Sequence, residues 1–178
     1  MRLILLLLTL ASAVPAQVAK TAATISLPSP RLPRAAFTVL ERHFDGMLAR
    51  IGNLNEPIDP LGSTRAAYIE GFGVVVSTEL ALVMAPDISP FRPTITPDLV
   101  AHVYKRKTER LPLLHSSMRE MMKLLATSLT QLPEDQQIVL IVRLDYLSWE
   151  NTAKLPAQVM MRADRKSVLA GEFKEESQ

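Results

Sequence analysis

Residues 136–149 read QQIVLIVRLDYLSW, and this stretch decides the fold. In an extended chain Ile138, Leu140, Val142, Leu144 and Tyr146 line one side, while Val139, Ile141 and Leu147 share the other with Arg143 and Asp145. Both sides are largely apolar, so the stretch predicts a central strand. Upstream, Thr96, Pro97 and Asp98 read as N-cap, first helical residue and acidic first turn. From there Leu99, Val103, Leu111, Leu114, Met118, Met121, Leu125, Leu129 and Leu132 recur at helical spacing. The spacing predicts one long helix, kinked or split by Pro112 near 109–112 and ended by Pro133. Further upstream, residues 65–83 are dense in β-branched and aromatic side chains. They predict a hairpin with arms 65–69 and 72–83 about a Glu70-Gly71 turn, or alternatively one bent strand bulged at Gly71 or Gly73. Ala36, Phe37, Leu40, Phe44, Met47, Leu48 and Ile51 predict a helix over 34–51, stopped by Gly52. Loops follow at 53–64 and 85–97. Downstream, 157–163 and 167–170 flank a charged turn and predict a last hairpin, and 174–178 is a charged tail. Strands thus gather on either side of a long helix. That order predicts an α+β fold: an antiparallel or mixed sheet of about four to five strands, with the long kinked helix and the N-terminal helix packed on it.

The chain opens MRLILLLLTLASAVPA, one charge at Arg2, then an apolar run, then small residues at Ala13 and Ala16. This is the pattern of a secretory signal peptide over 1–16, cut after Ala16 or after Ala13. The run falls short of the about 20 apolar residues that span a bilayer, which disfavours the alternative of an uncleaved anchor. Residues 17–33, with Pro28, Pro30 and Pro33, read as a disordered lead-in, and 34–173 as a single domain. The expected address is periplasmic or secreted. The 20 Lys and Arg nearly balance the 18 Asp and Glu, which argues against a nucleic-acid partner. Cysteine is absent, so disulfides, thiol catalysis, Cys-held metal and a lipidated N-terminus are excluded. No membrane anchor is expected once the signal is removed.

Four segments carry a resemblance: 68–76 (YIEGFGVVV), 90–93 (PFRP), 110–114 (RLPLL) and 146–150 (YLSWE). In them the chain resembles a group of uncharacterised exported bacterial proteins that pair a Tyr-x-x-Gly-aromatic-Gly segment with a late strand ending in Trp-Glu. The resemblance spans most of the chain after the signal. It implies export and a single domain, and it carries no activity.

The sequence holds few groups for chemistry. His43, His102 and His115 form no ligand pair, since 102 and 115 fall roughly 140° apart on one helix. There is no G-x-S-x-G, no H-E-x-x-H and no phosphate-cradling glycine loop, and no cofactor or metal is called for. Glu70, Glu79, Asp145 and Glu150 lie on or beside predicted strands and, with His115, are the candidates for acid–base chemistry. Lys105, Arg106, Lys107 and Arg110 make the one local basic cluster, read as a docking patch or a solvated helix face. Trp149 joins them as a candidate pocket or core-capping residue. Met118, Met121 and Met122 form a methionine stripe that reads as core. Three functions follow as expectations. The first is a non-enzymatic binding or structural module held by an envelope protein or polymer partner. The alternatives are a hydrolase built on the carboxylate and histidine candidates, and a carrier of a small apolar ligand lined by the methionines. Oligomeric state is not legible.

Overall fold

A computed structural model describes residues 32–53, 55–91 and 94–178. The expected signal peptide over 1–16 and the lead-in over 17–31 lie outside the described residues; Leu32, at the end of that lead-in, packs against the core. Helix α1 (Arg34–Ala49) is followed by a two-residue strand β1 (Asp59–Pro60) and by the hairpin β2 (Arg65–Ile69) and β3 (Gly73–Ala81). Helix α2 (Pro97–Ser128) then leads to β4 (Gln137–Leu144), β5 (Gln158–Asp164), the short helix α3 (Arg165–Ala170) and β6 (Lys174–Ser177).

The strands form one mixed sheet in the order β1-β3-β4-β5-β6, with β2 also paired to β3. β4 takes one edge of β3 from Gly73 to Leu80, so β2 and β1 lie end to end along the other. The β3–β4 pair is parallel, and the rest are antiparallel. Only a long crossover can join parallel neighbours, and α2, with 32 residues, supplies it. Val74, Val76 and Leu80 of β3, Ile138, Leu140 and Val142 of β4 and Val159 and Met161 of β5 point to one face and are sealed from solvent. They join Phe44 of α1 and Leu114, Met118, Met121, Met122 and Leu125 of α2 in a single core. The fold is therefore α+β in one domain, two layers deep.

β4 is central as expected, but only one of its faces meets the helices. Val75, Ile141 and Met160 point the other way, are half-buried, and neither belong to the core nor pack against it. Ser77, Arg143 and Arg162 on that side are exposed.

Five local expectations are corrected. α2 runs unbroken through Pro112, which sits exposed, so the Thr108 carbonyl that loses its helical donor faces the solvent side. The strand expected over 136–149 ends at Leu144, where Asp145 N–H turns to the Leu80 carbonyl. Residues 167–170 are helical instead of a hairpin arm. Asp164 caps them by accepting from Ser167 N–H, and Gly171, at φ +84°, stops them. The charged tail is strand β6, pinned to α2 by Glu175, which pairs with Arg119 at 2.7 Å and with His115. The hairpin turn spans Glu70 to Phe72, three residues, with Ile69 paired to Gly73.

The outer edge of β2 is closed by α1. Glu41, 5% exposed, accepts from Ala66 N–H at 2.7 Å, and Arg34 donates to the Ala66 carbonyl at 2.9 Å. Asp45 accepts from Thr64 N–H at 2.9 Å. Three side chains of one helix thus occupy the positions that a further strand's backbone would take.

Candidate functional site

The basic cluster on α2 is taken apart by the fold. Lys107 is fully buried and forms an ion pair with Glu150 at 2.5 Å, the Glu150 carboxylate being itself 2% exposed. Its ammonium also donates to the Asp145 carbonyl at 3.2 Å and sits 4.5 Å from the centre of the Tyr146 ring. Burial, with Glu150 adding to it, pushes the Tyr146 phenol up to about 12, and its O–H donates to the Pro156 carbonyl at 2.7 Å. Arg110 is buried too. It donates to the carbonyls of Leu82 at 2.6 Å and of Glu56, and so ties two loops to the helix. Burial draws its guanidinium pKa below the ordinary value, opposed by Glu56. Arg106 is paired with Glu56 and, at 3.0 Å, with Glu109. Lys105 alone of the four is exposed. The docking patch expected of Lys105, Arg106, Lys107 and Arg110 is therefore not one surface. The solvated-face alternative fails equally for Lys107 and Arg110. Both occupy the inward phase of α2, between Val103 and Leu114.

The five acid–base candidates do not gather. Glu70 is in the hairpin turn and Glu79 at the far end of β3, roughly 20 Å away along the strand. Glu79 lies 3.6 Å from Arg143 on the helix-free face. His115 is on α2 with Glu175. Only Asp145 and Glu150 come to one place, around the Lys107 ammonium, Asp145 through its backbone carbonyl. Trp149 is beyond the end of β4, half-buried, and its indole N–H finds no acceptor among the described residues. Met118, Met121 and Met122 are sealed in the core. Among the described residues no group of three or more His, Asp or Glu gathers to hold a cation, and no helix is long and apolar enough to cross a membrane.

Two clefts open elsewhere. One, of about 510 Å³, lies between α1 and β3, lined mainly by Leu48, Ala49, Pro57, Ile58, Pro60 and Leu80. The other, of about 550 Å³ and more polar, lies where β5 meets α3, among Arg162, Asp164, Ser167 and Lys174. Neither contains a member of the expected acid–base set.

Among the described residues, the segment 82–91 carries the most exposed large apolar side chain. Its stem is fixed: Leu82 and Val83 are buried, the Leu82 carbonyl is held by Arg110, and Met84 N–H donates to the Pro57 carbonyl at 3.1 Å. Beyond the stem Met84 and Ile88 are half exposed and Phe91 is 99% exposed. The sequence predicts only a loop here. The signal that marks it is the placement of Met84 just before Pro86 and of Ile88 and Phe91 between prolines, large apolar groups where turn chemistry does not need them.

No family model, curated protein or solved structure matches this chain.

The loop–helix junction also makes a pH prediction. Hydrogen bonds from Arg106 and then His102 hold the Glu56 carboxyl below its ordinary value of about 4.5. A depressed carboxylate contributes stability above its unfolded pKa, and that contribution is lost as pH falls through the folded value. Glu56→Gln is expected to lower the urea midpoint at neutral pH, by a margin that shrinks as pH falls below about 4.5 and through the lowered pKa of the folded carboxyl. Denaturation curves across that range check this. A gap between the two proteins that does not shrink with acid refutes it.

Proposed function

We propose that this chain is an exported, non-enzymatic binding module that engages an envelope protein through the loop carrying Phe91. The observation that carries the reading is the full exposure of the Phe91 side chain on a loop whose stem is fixed to the core. Leaving a large aromatic in water forgoes about 1.5–3 kcal/mol of burial, and aromatic anchors on pre-ordered segments are what interfaces spend most of their energy on. Met84 and Ile88 on the same loop add apolar area of the same kind. The signal-type N-terminus supports the exported address, and the near balance of charge supports a partner recognised by apolar contact in preference to a polyanion. The ionisable groups on α2 and their partners belong to this reading as scaffold: Arg110 holds the loop stem at the Leu82 carbonyl, and Lys107 with Glu150 fixes the helix to the 145–150 segment.

The test is a photo-reactive benzoylphenylalanine in place of Phe91, activated in the cells that export the protein. One discrete protein adduct is expected, absent when the same probe replaces the exposed Val39 of α1. Adducts to lipid alone, or none, overturn the reading.

A further inference from the structure

We propose that the helix-free face of the sheet is a self-association surface, on which a second copy of this chain packs face to face about a two-fold axis running across the strands. Parallel strands are ordinarily covered on both faces. Here β3 and β4 are parallel, and among the described residues the core accounts for one face alone. The centre of the other face is apolar: Val75, Val139, Ile141 and Met160 stand on three adjacent strands, and Val139 is 7% exposed although it is no part of the core. Charges lie around them, and they are of both signs.

The strand registers determine what self-pairing would bring together. A two-fold axis across the strands, midway between Val139 and Ile141, exchanges the positions that lie equally far on either side of it along each strand. Val139 then meets the partner's Ile141, and Gln137 meets the partner's Arg143. On β5 Met160 meets the aliphatic stem of the partner's Arg162. On β6 Lys174 meets the partner's Glu176. Arg65 falls on the partner's Ala67 and Glu79 on the partner's Gly73, so no cation is laid on a cation. An axis along the strands would instead lay Arg143 on the partner's Arg143, since β4 is the middle strand. Aligned sheets cross at about 30°, and the long side chains of Lys174 and Glu176 span the resulting offset.

Area decides how strong this contact is. Five strands at about 4.8 Å spacing, each contributing about seven residues at about 3.3 Å, give a face of roughly 450 Å². Two such faces with their rims bury on the order of 1,000 Å², the lower end for a specific interface. The dimer should therefore depend on concentration.

Sedimentation of the exported chain from about 1 to about 500 µM tests this. Dimer is expected to grow in over that range. Ile141→Lys should be monomeric throughout, with the far-UV spectrum of the wild type and the thermal midpoint that the wild type shows at about 1 µM, where it too is monomeric. Lys174→Glu should weaken association about tenfold, and Lys174→Glu with Glu176→Lys should restore it, because the two positions exchange partners across the axis. A wild type that stays monomeric over the whole range overturns the proposal. So does an Ile141→Lys protein that still dimerises, or a double charge swap that fails to recover.

Discussion

Lys107→Met is expected to lower the free energy of unfolding by about 3–5 kcal/mol, the cost of leaving a buried charge without its partner. The lysine is fully buried, and the Glu150 carboxylate it faces is 2% exposed. Methionine fills nearly the same space, so packing changes little and the loss reports the stranded carboxylate. The double variant Lys107→Met with Glu150→Leu removes both charges. It is expected to regain most of that loss, because an apolar pair of similar volume avoids the desolvation of both ions. Urea denaturation of the three proteins reads both effects. A single variant costing less than about 1 kcal/mol would show that Glu150 reaches water, against the burial described above.

The second large effect is Gly73→Ala. Gly73 has φ +136°, and a Cβ built there would stand 2.0 Å from the Gln137 carbonyl oxygen and 2.7 Å from its nitrogen. Those atoms are backbone in the neighbouring parallel strand, so neither a rotamer nor a flexible tip can relieve the clash. The pairing of β3 with β4 must open at its first rung, with an expected loss above about 4 kcal/mol. Gly71 is the control. It too has a positive φ, +74°, but its Cβ would meet nothing within 4 Å. Gly71→Ala should cost only about 1 kcal/mol of backbone strain. Equal losses in the two variants would mean that the close approach of β3 to β4 is not as described.

What the sequence revealed follows from which signals are local. The hairpin over 65–81, the Thr96 cap and the central strand rest on alternation, a capping hydroxyl and a glycine turn, each readable within a few residues. The α3–β6 segment was lost because its determinants lie far apart. Glu175 makes a strand of a charged tail only when His115 and Arg119, some sixty residues earlier, stand opposite it. Asp164 and Gly171 are a local cap and stop, but the charged run beginning at Asp164 suits a hairpin turn equally well, so local signals alone do not decide the segment. The basic cluster misled for a different reason. Val103, Lys107, Arg110, Leu114 and Met118 keep one helical phase, so two cations sit where the apolar stripe runs. Charge argued for solvent and phase argued for the interior. Phase prevailed because the 145–150 segment carries a carboxylate and a carbonyl for Lys107, and the Leu82 and Glu56 carbonyls take the Arg110 guanidinium.

The side chains of α1 along β2 have a consequence for how many copies can assemble. A sheet with two open edges can add strands without limit. Here one edge is already occupied by Glu41, Arg34 and Asp45, and the other is the four-residue, charge-bearing β6. Growth along the hydrogen-bonding direction is therefore blunted at both ends. The remaining direction is perpendicular to the sheet, where a two-fold contact uses up the surface that makes it. The geometry favours a closed stoichiometry over a fibre, in a chain whose β-branched strands would otherwise be well suited to one.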